Sequence, residues 1–285
     1  MTNVEAQAGR PIVGLLGDTE TRDYGGKLSR FNAFATPELH GLIRSLGLEP
    51  GMHVLDAGCG TGEALNWLYG EVTPSGRVVG VDLAAAHVAA AKSQAAPDIQ
   101  IHRANLFDHL FAPASFDFIW SVNTINHLAD PVSGVRHLAS LLRDGGRMGV
   151  GQSSLLPDMF FAWDARLECA VNDAVHRYYR DRYSLDEDDL KAVRGLVGIL
   201  RQAELKDVSV RTVVIERLSP LDAASESYLH ETIFRGTWGE RLRPYLTPVD
   251  FAELAQLCDP QHPNYALRRP DFHFLQTLTL VTGRI

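Results

Sequence analysis

The segment Asp56-Ala57-Gly58-Cys59-Gly60-Thr61-Gly62 places three closely spaced glycines between an apolar strand pattern and a helix pattern that begins near Glu63. Because glycine has no Cβ atom, the backbone can turn sharply there and a ligand can approach its N–H groups. The spacing is GxGxG, which differs from the GxGxxG fingerprint of dinucleotide-binding folds. The segment therefore predicts a ligand-binding turn between a strand and a helix.

Two acidic residues narrow the choice of ligand. Asp56 lies two residues before the first glycine, where it would repel a pyrophosphate but attract an ammonium group. Asp82 ends the next strand pattern, about twenty residues on, where a carboxylate can bind a ribose diol. S-adenosylmethionine (SAM) carries both an amine cation and a nucleoside, so it fits this pair. The same features disfavour an NAD-dependent dehydrogenase.

The pattern around this loop predicts an α/β fold. From about residue 36 to 152, short β-branched runs alternate with helical patterns, as in βαβ units of a parallel sheet. We expect a Rossmann-like, doubly wound, seven-stranded sheet, mostly parallel with the last strand antiparallel, and a helical cap. The strands are predicted at 53–57, 77–83, 99–105, 116–122, 147–151, 208–218 and 272–283.

The rest of the chain is predicted to cover this core. A long helix is expected over Met159–Tyr183, and Ser184-Leu185-Asp186-Glu187 is a capping box that starts another helix. About fifty residues separate the last two strands, too many for a plain hairpin. The predicted organisation is a lid (1–35), a cofactor-binding core (36–154), a cap helix (155–183), a core helix and strand (184–218), a helical cap insertion (219–270) and a final strand (271–285).

The chain resembles the class I SAM-dependent methyltransferases, in particular the small-molecule group similar to ubiquinone and menaquinone biosynthesis enzymes. The resemblance is carried by VLDAGCGTG from Val54 to Gly62, by Asn126-His127-Leu128 and by the turn Leu142–Gly146. It covers residues 36–152 well and is recognisable over Ser184–Val210. It implies SAM as the cofactor and S-adenosylhomocysteine as the product.

The resemblance also implies the cofactor-binding residues. The loop would hold the methionine part of SAM, Asp82 the ribose, and Leu83 and Asn105 the adenine, although many members have Asp in place of Asn105. Tyr24 resembles a lid tyrosine that closes over SAM, and packing is an equal alternative for it. The predicted cofactor-binding residues are Tyr24, Asp56, Gly58, Gly60, Asp82, Leu83, Asn105, Leu106 and Ser121.

The predicted catalytic residues are His127 and Asn123, which follow the fourth strand, where open α/β sheets bind ligands. His127 is the candidate base, with a structural histidine as the alternative. Asn123 is expected near the transferred methyl, with a turn residue as the alternative. A base is needed only if the acceptor carries a proton to be lost, because methyl transfer depends mainly on in-line placement.

Composition limits the partners. The formal net charge of -8 argues against a nucleic acid, whose binding rests on many Lys and Arg contacts. The three cysteines, Cys59, Cys169 and Cys258, are far apart, so no disulfide framework and no metal site are predicted. No apolar run reaches the length of a membrane span, and the cytoplasm is the expected location.

We therefore expect a SAM-dependent methyltransferase that acts on an O, N or C atom of a small, apolar or aromatic metabolite. Two alternatives stay open from the sequence: a SAM-bound enzyme that catalyses an elimination or cyclisation, and a SAM-binding sensor. The acceptor is also open, and so is the oligomeric state, a homodimer included.

Overall fold

A computed structural model describes residues 25–153, 160–161, 164–183 and 192–285. Within these residues, eight strands form one sheet, in the order β3-β2-β1-β4-β5-β8, with β6 and β7 also paired to β8. The strands are β1 (His53–Ala57), β2 (Arg77–Asp82), β3 (Gln100–Arg103), β4 (Phe116–Val122), β5 (Leu142–Ser153), β6 (Phe160–Phe161), β7 (Lys206–Leu218) and β8 (His273–Arg284).

The sheet confirms the predicted fold class. Strand β1 lies at its centre and is parallel to both neighbours, so that Leu55 lies opposite Val79 on β2 and Ile119 on β4. Strand β8 is antiparallel to β5 and to β7. All seven predicted strands are present, and the carboxyl ends of β1, β2 and β4 lie side by side at one edge of the sheet.

The short strand β6 corrects one prediction. A helix was expected from Met159, but Phe160 and Phe161 pair with Leu275 and Phe274 of β8. Two adjacent aromatic residues suit a strand, and the backbone of β8 offers them hydrogen-bond partners. The helix that follows begins at Ala165.

Helices cover both faces of the sheet. In chain order they are α1 (Gly25–Phe34), α2 (Thr36–Arg44), α3 (Glu63–Val72), α4 (Ala85–Gln94), α5 (Pro131–Ser140), α6 (Ala165–Tyr183), α7 (Ala192–Gln202), α8 (Ala223–Ser227), a π helix (Tyr228–Trp238) and α9 (Pro248–Cys258). The predicted capping box at 184–187 lies outside the described residues. Successive side chains of β1 point to opposite faces: Val54 packs in one apolar cluster and Leu55 in the other.

The segment between β7 and β8 is helical. It contains α8, the π helix, a 3₁₀ turn (Glu240–Tyr245), α9 and a second 3₁₀ turn (Ala266–Arg268). The π helix ends where the Gly239 N–H donates to the Phe234 carbonyl, five residues earlier, at 2.9 Å. Helices of this type are rare and are frequently found at functional sites.

Arg217 joins the first two helices to the sheet. Its guanidinium forms an ion pair with Glu38 of α2 at 2.8 Å, lies 4.7 Å from the centre of the Phe34 ring, and donates to the Phe34 carbonyl. The side chains of Arg217 and Glu38 are only 14% and 17% exposed, so the charges are partly removed from water. This single residue of β7 therefore holds α1 and α2 against the sheet.

We predict that Arg217→Met lowers the free energy of unfolding by about 2–4 kcal/mol, because it leaves Glu38 without its partner in a poorly solvated place. Chemical denaturation would measure the change. Arg243→Met is the matched control, since its ion pair with Glu240 is exposed and its loss should not change stability measurably. Equal losses in the two variants would contradict this account of Arg217.

Candidate active site

A cavity of about 730 Å³ opens at the carboxyl edge of the sheet. Its walls come from the segments that follow β1, β2, β3 and β4, from the end of β5, from α1, and from α6 and the helical segment between β7 and β8. Open α/β sheets bind their ligands at this edge. The cavity is therefore the candidate active site.

The glycine loop forms one wall. Gly58, Gly60 and Gly62 have φ angles of 83°, 53° and 93°, a left-handed region that other residues rarely adopt. A Cβ atom at Gly58 would also overlap the side chain of Thr124. The N–H groups of Gly58 and Cys59 donate to the carbonyl of Val81 at 2.8 and 2.9 Å, which fixes the loop against the end of β2.

Asp56 is the most unusual group of the site. Its carboxyl is 2% exposed and lines the cavity, and its Oδ2 atom has no hydrogen-bond partner among the described residues. Burial, and then the nearby charges of Asp82 and Glu63, raise its pKa to about 8. An ammonium group would donate the hydrogen bond that this oxygen lacks and would favour the charged form of the carboxyl. The residues present therefore fit the amine of SAM.

Asp82 connects the loop to the next helix. Its Oδ2 accepts from the Gly60 N–H at 2.9 Å, and its Oδ1 accepts from the Ala84 N–H at 2.9 Å. Nδ1 of His87 lies 3.2 Å from the same Oδ1. Oδ2 accepts only the Gly60 N–H here and has a second lone pair, so Asp82 can still accept from a ribose hydroxyl. Its own geometry is fixed before any ligand arrives.

His87 was missed by the sequence analysis. It is buried, lines the cavity and lies on α4, five residues after Asp82. The alanines around it predicted the helix. The only sign of a role for His87 in the sequence is that it is a polar aromatic residue in an otherwise apolar run. A single histidine in a helix does not by itself indicate a partner.

Asn105 and Leu106 also line the cavity, after β3. The side-chain oxygen of Asn105 accepts from the Phe107 N–H at 3.0 Å, and the Asn105 N–H donates to Asp108 at 2.9 Å. These two bonds form a compact polar turn. The predicted contact of Asn105 with the adenine stays a prediction.

Asn123 directly follows β4 in a left-handed conformation, with φ of 56°. Its side-chain oxygen accepts from the N–H and the hydroxyl of Ser153, at 2.8 and 3.0 Å, which ties the end of β4 to the end of β5. Non-glycine residues in this conformation are uncommon and are concentrated at functional sites. Asn123 is thus both a turn residue and a cavity-lining residue.

His127 lies in a 3₁₀ turn (Ile125–His127) and lines the same cavity. Burial lowers its pKa to about 4, and a hydrogen bond with the backbone of Asn123 opposes this shift. The imidazole is therefore neutral at pH 7. A neutral imidazole can accept a hydrogen bond or a proton from a bound molecule.

The structure brings most of the predicted site residues together. Those that line the cavity are Asp56, Gly58, Gly60, Asp82, Leu83, Asn105, Leu106, Asn123 and His127. Ser121 is not among the lining residues: it is fully buried, and its hydroxyl donates to the Ala57 carbonyl at 2.8 Å. Tyr24 lies outside the described residues. The roles assigned to these residues stay predictions.

The opposite wall is aromatic and comes from the cap. The rings of Phe31 and Tyr228 lie edge to face at 5.8 Å, and both line the cavity with Tyr179 of α6. The sequence analysis had placed Tyr179 and Tyr228 in the cap. Thr232, Glu231 and Arg241 line the cavity as well and are not among the predicted site residues.

Two further kinds of feature are absent from the described residues. Within them, no group of three or more His, Cys, Asp or Glu residues is placed to hold a metal ion. Among the described helices, none is long and apolar enough to cross a membrane.

Residues 54–146 match a family described as a methyltransferase domain. An O-methyltransferase named cnsE from Penicillium expansum is 28% identical over 72% of this chain and 64% of its own length. A 2-phytyl-1,4-naphtoquinone methyltransferase from Thermosynechococcus vestitus is 34% identical over 37% of this chain and 48% of its own length. Across eight curated relatives, the match covers only 23% to 64% of the relative.

A solved structure extends the likeness in fold. Phosphoethanolamine N-methyltransferase 2 from Haemonchus contortus, in complex with SAM, superimposes with a TM-score of 0.53. It is 16% identical and covers 91% of this chain and 57% of the other. At this identity the likeness concerns the fold, and it agrees with the predicted class I methyltransferase architecture.

We predict that Asp56→Asn makes the ligand-free protein more stable at alkaline pH. The folded carboxyl, with a pKa of about 8, keeps its proton while the unfolded one loses it near pH 4. Wild-type stability from this group is therefore present at acid pH and is lost as the pH rises to about 8, by up to about 1.4 kcal/mol per unit. An amide resembles the protonated acid and does not titrate.

Denaturant unfolding of both proteins between pH 5 and 8.5 measures this difference. The two stabilities should converge at low pH and separate as the pH rises. Asp98→Asn, at an exposed position, is the control and should run parallel to the wild type. If Asp56→Asn also runs parallel, the raised pKa is wrong.

Proposed function

We propose that this chain, which carries a methyltransferase domain on a class I SAM-dependent methyltransferase fold, transfers a methyl group from SAM to a small, apolar or aromatic metabolite. The methyl group goes to an O, N or C atom, and S-adenosylhomocysteine is released. One observation carries the proposal: a single cavity joins the buried carboxyl of Asp56 and the glycine loop to the aromatic wall of Phe31, Tyr179 and Tyr228.

The residues of the sheet edge fit the parts of the cofactor. SAM supplies the methyl group on a sulfonium sulfur, and this sulfur is the leaving group when the methyl is transferred. Asp56 is proposed to bind the ammonium, Asp82 the ribose hydroxyls, and Leu83, Asn105 and Leu106 the adenine. The left-handed loop at Gly58 and Gly60 lets the ligand approach the backbone closely.

The remaining task of the protein is to hold the acceptor in line and to exclude water. Placement of two reactants in a fixed geometry can lower a barrier by about 7–11 kcal/mol in favourable cases. Asn123 is rigid because Ser153 fixes its side chain. We place it and His127 beside the acceptor, where the neutral imidazole accepts a hydrogen bond from the reacting hydroxyl or amine. Its pKa of about 4 makes it a weak base at pH 7.

The relatives support a small acceptor. One is named as an O-methyltransferase and another as a methyltransferase of a naphthoquinone. An aromatic wall suits flat, apolar molecules of this size. The two alternatives, an elimination or cyclisation enzyme and a SAM sensor, gain no support from these relatives. The net charge of -8 favours a small molecule over a nucleic acid as the substrate, and the cytoplasm stays the predicted location.

A homodimer is part of the proposal, and β7 is its contact. Among the described residues, β7 pairs with β8 alone, so its outer edge is open. Val210, Val214 and Leu218 lie on one face of this strand and are 52%, 53% and 59% exposed. Such a long, open, apolar edge favours pairing with another strand.

We predict that sedimentation velocity gives a dimer for the wild type at tens of micromolar and a monomer for Val214→Lys, with SAM affinity unchanged. Val249→Lys is the control, because Val249 is 74% exposed but lies on α9. A monomeric wild type, or a Val249→Lys variant that dissociates equally, would exclude this contact.

We predict that Asp82→Asn weakens binding of both SAM and S-adenosylhomocysteine about 10- to 150-fold, because charge-assisted hydrogen bonds contribute about 1.5–3 kcal/mol. Asn keeps the size and shape of the side chain, but its NH2 group cannot accept the N–H of Gly60 or Ala84 that one carboxylate oxygen of Asp82 accepts, so the loss of affinity includes weaker support of the loop. Titration calorimetry measures the affinities, and circular dichroism checks the fold.

The wild type tests the proposal as a whole. It should bind SAM in calorimetry, should not bind NAD, and should release S-adenosylhomocysteine with at least one acceptor from a panel of phenols, hydroxyquinones and aromatic amines. No binding of either SAM species would overturn the cofactor assignment. Binding with consumption of SAM but without a methylated product would favour a non-methylating enzyme instead.

A further inference from the structure

The π helix presents one face to the cavity. Tyr228, Thr232 and Gly236, which are spaced four residues apart, all line it. Tyr228 packs against α1, with its ring stacked on Phe34 at 4.4 Å and edge to face with Phe31 at 5.8 Å. Because α1 also lies against the glycine loop, where Leu28 is close to Gly60, this face belongs to the same site and continues it toward the cap.

The hydroxyl of Thr232, on this face, lacks a hydrogen-bond partner among the described residues. The residue is 3% exposed, and its Oγ1 atom has no hydrogen-bond partner in the part of the chain that the structure describes. Threonine hydroxyls in helices usually donate to a carbonyl about one turn earlier. Thr237 of the same helix does so, and its Oγ1 donates to the Thr232 carbonyl at 3.1 Å.

A buried hydroxyl without a partner destabilises a folded protein. Where such a group lines a cavity, a bound molecule can supply the missing hydrogen bond. The contrast with Thr237 is informative, because both residues are buried threonines on one helix. The hydroxyl of Thr237 has a structural partner, whereas that of Thr232 has none among the described residues although Thr232 lines the cavity.

The neighbours of Thr232 define what that ligand can be. The hydroxyl of Tyr228 donates to Gln276 at 3.2 Å, so Tyr228 offers its ring. Glu231 accepts from Arg235 at 3.2 Å, and the guanidinium of Arg241 lies 5.4 Å from the centre of the Tyr178 ring. The charged side chains nearest to Thr232 are therefore paired with other residues of the cap. The wall therefore favours a neutral, flat molecule.

We propose that Thr232 is a specificity-determining residue of the acceptor site and that its hydroxyl hydrogen-bonds a hydroxyl or carbonyl oxygen of a neutral aromatic acceptor. This rests on the proposed function, because it takes the occupant of the cap side of the cavity to be the methyl acceptor. The side chain recognises an oxygen atom and leaves the ring system to Tyr228 and Phe31.

The first test needs no substrate. Thr232→Val removes the hydroxyl but keeps the shape, so the ligand-free variant should be as stable as the wild type or more stable in chemical denaturation. Thr237→Val removes a hydroxyl that has a partner and should be less stable than the wild type. If Thr232→Val loses as much stability as Thr237→Val, its hydroxyl has a structural role and the proposal is overturned.

The second test uses a matched pair of probes, 1-naphthol and 1-methylnaphthalene, which differ by a hydroxyl in place of a methyl group. With saturating S-adenosylhomocysteine, the wild type should bind 1-naphthol at least tenfold more tightly in calorimetry. Thr232→Val should reduce this preference to less than threefold, Thr232→Ser should restore it, and Thr237→Val should leave it unchanged. An unchanged preference in Thr232→Val, or no binding of either probe to the wild type, overturns the proposal.

The measurements distinguish a failure of the proposed function from a failure of the role proposed for Thr232. Absence of S-adenosylhomocysteine binding in the wild type overturns the proposed function, and the probe pair is then measured with the ligand-free protein. Normal binding of S-adenosylhomocysteine by Thr232→Val, with a lost preference for 1-naphthol, assigns the hydroxyl to the acceptor and not to the cofactor.

Discussion

The buried carboxyl of Asp56 is the group on which the site depends. It lies in the central strand of the sheet, 2% exposed, with one oxygen unpartnered among the described residues. Its placement follows from strand geometry, because the apolar residues around it alternate between the two faces of the sheet and leave the end of β1 for polar atoms. The glycine loop then bends the chain away, so that the carboxyl faces a cavity.

The sequence contains enough information to predict this edge of the sheet. The glycines between a strand and a helix, and the acids Asp56 and Asp82, are local patterns with local physical causes. The alternation of strands and helices fixes the parallel order, because connections in such sheets are short and right-handed. The fold class and the place of the cavity could therefore be predicted without coordinates.

The partners across the site could not be predicted in this way. His87 meets Asp82 through the docking of α4, and Thr232 reaches the cavity because the segment between β7 and β8 folds over the sheet and takes a π-helical form. The position of Thr232 depends on packing between segments far apart in the chain, whereas His87 lies only five residues after Asp82 and its contact depends on how α4 begins. The same limit explains β6, where the pairing of Phe160 with β8 replaced the predicted helical turn.

The unpartnered polar atoms of the cavity have the same effect on stability and on binding. Asp56 Oδ2, Asn126 Oδ1 and Thr232 Oγ1 are buried without hydrogen-bond partners in the described part of the chain, and all three residues line the cavity. Each destabilises the ligand-free fold, and strain of this kind is commonly retained at functional sites. A ligand that supplies the missing hydrogen bonds binds the folded state and not the unfolded one, so the stability of the protein rises with the logarithm of the ligand concentration once this exceeds the Kd. The same atoms give the cavity specificity. A molecule without matching donors and acceptors leaves these buried atoms without hydrogen bonds, so it binds less tightly than one that supplies them.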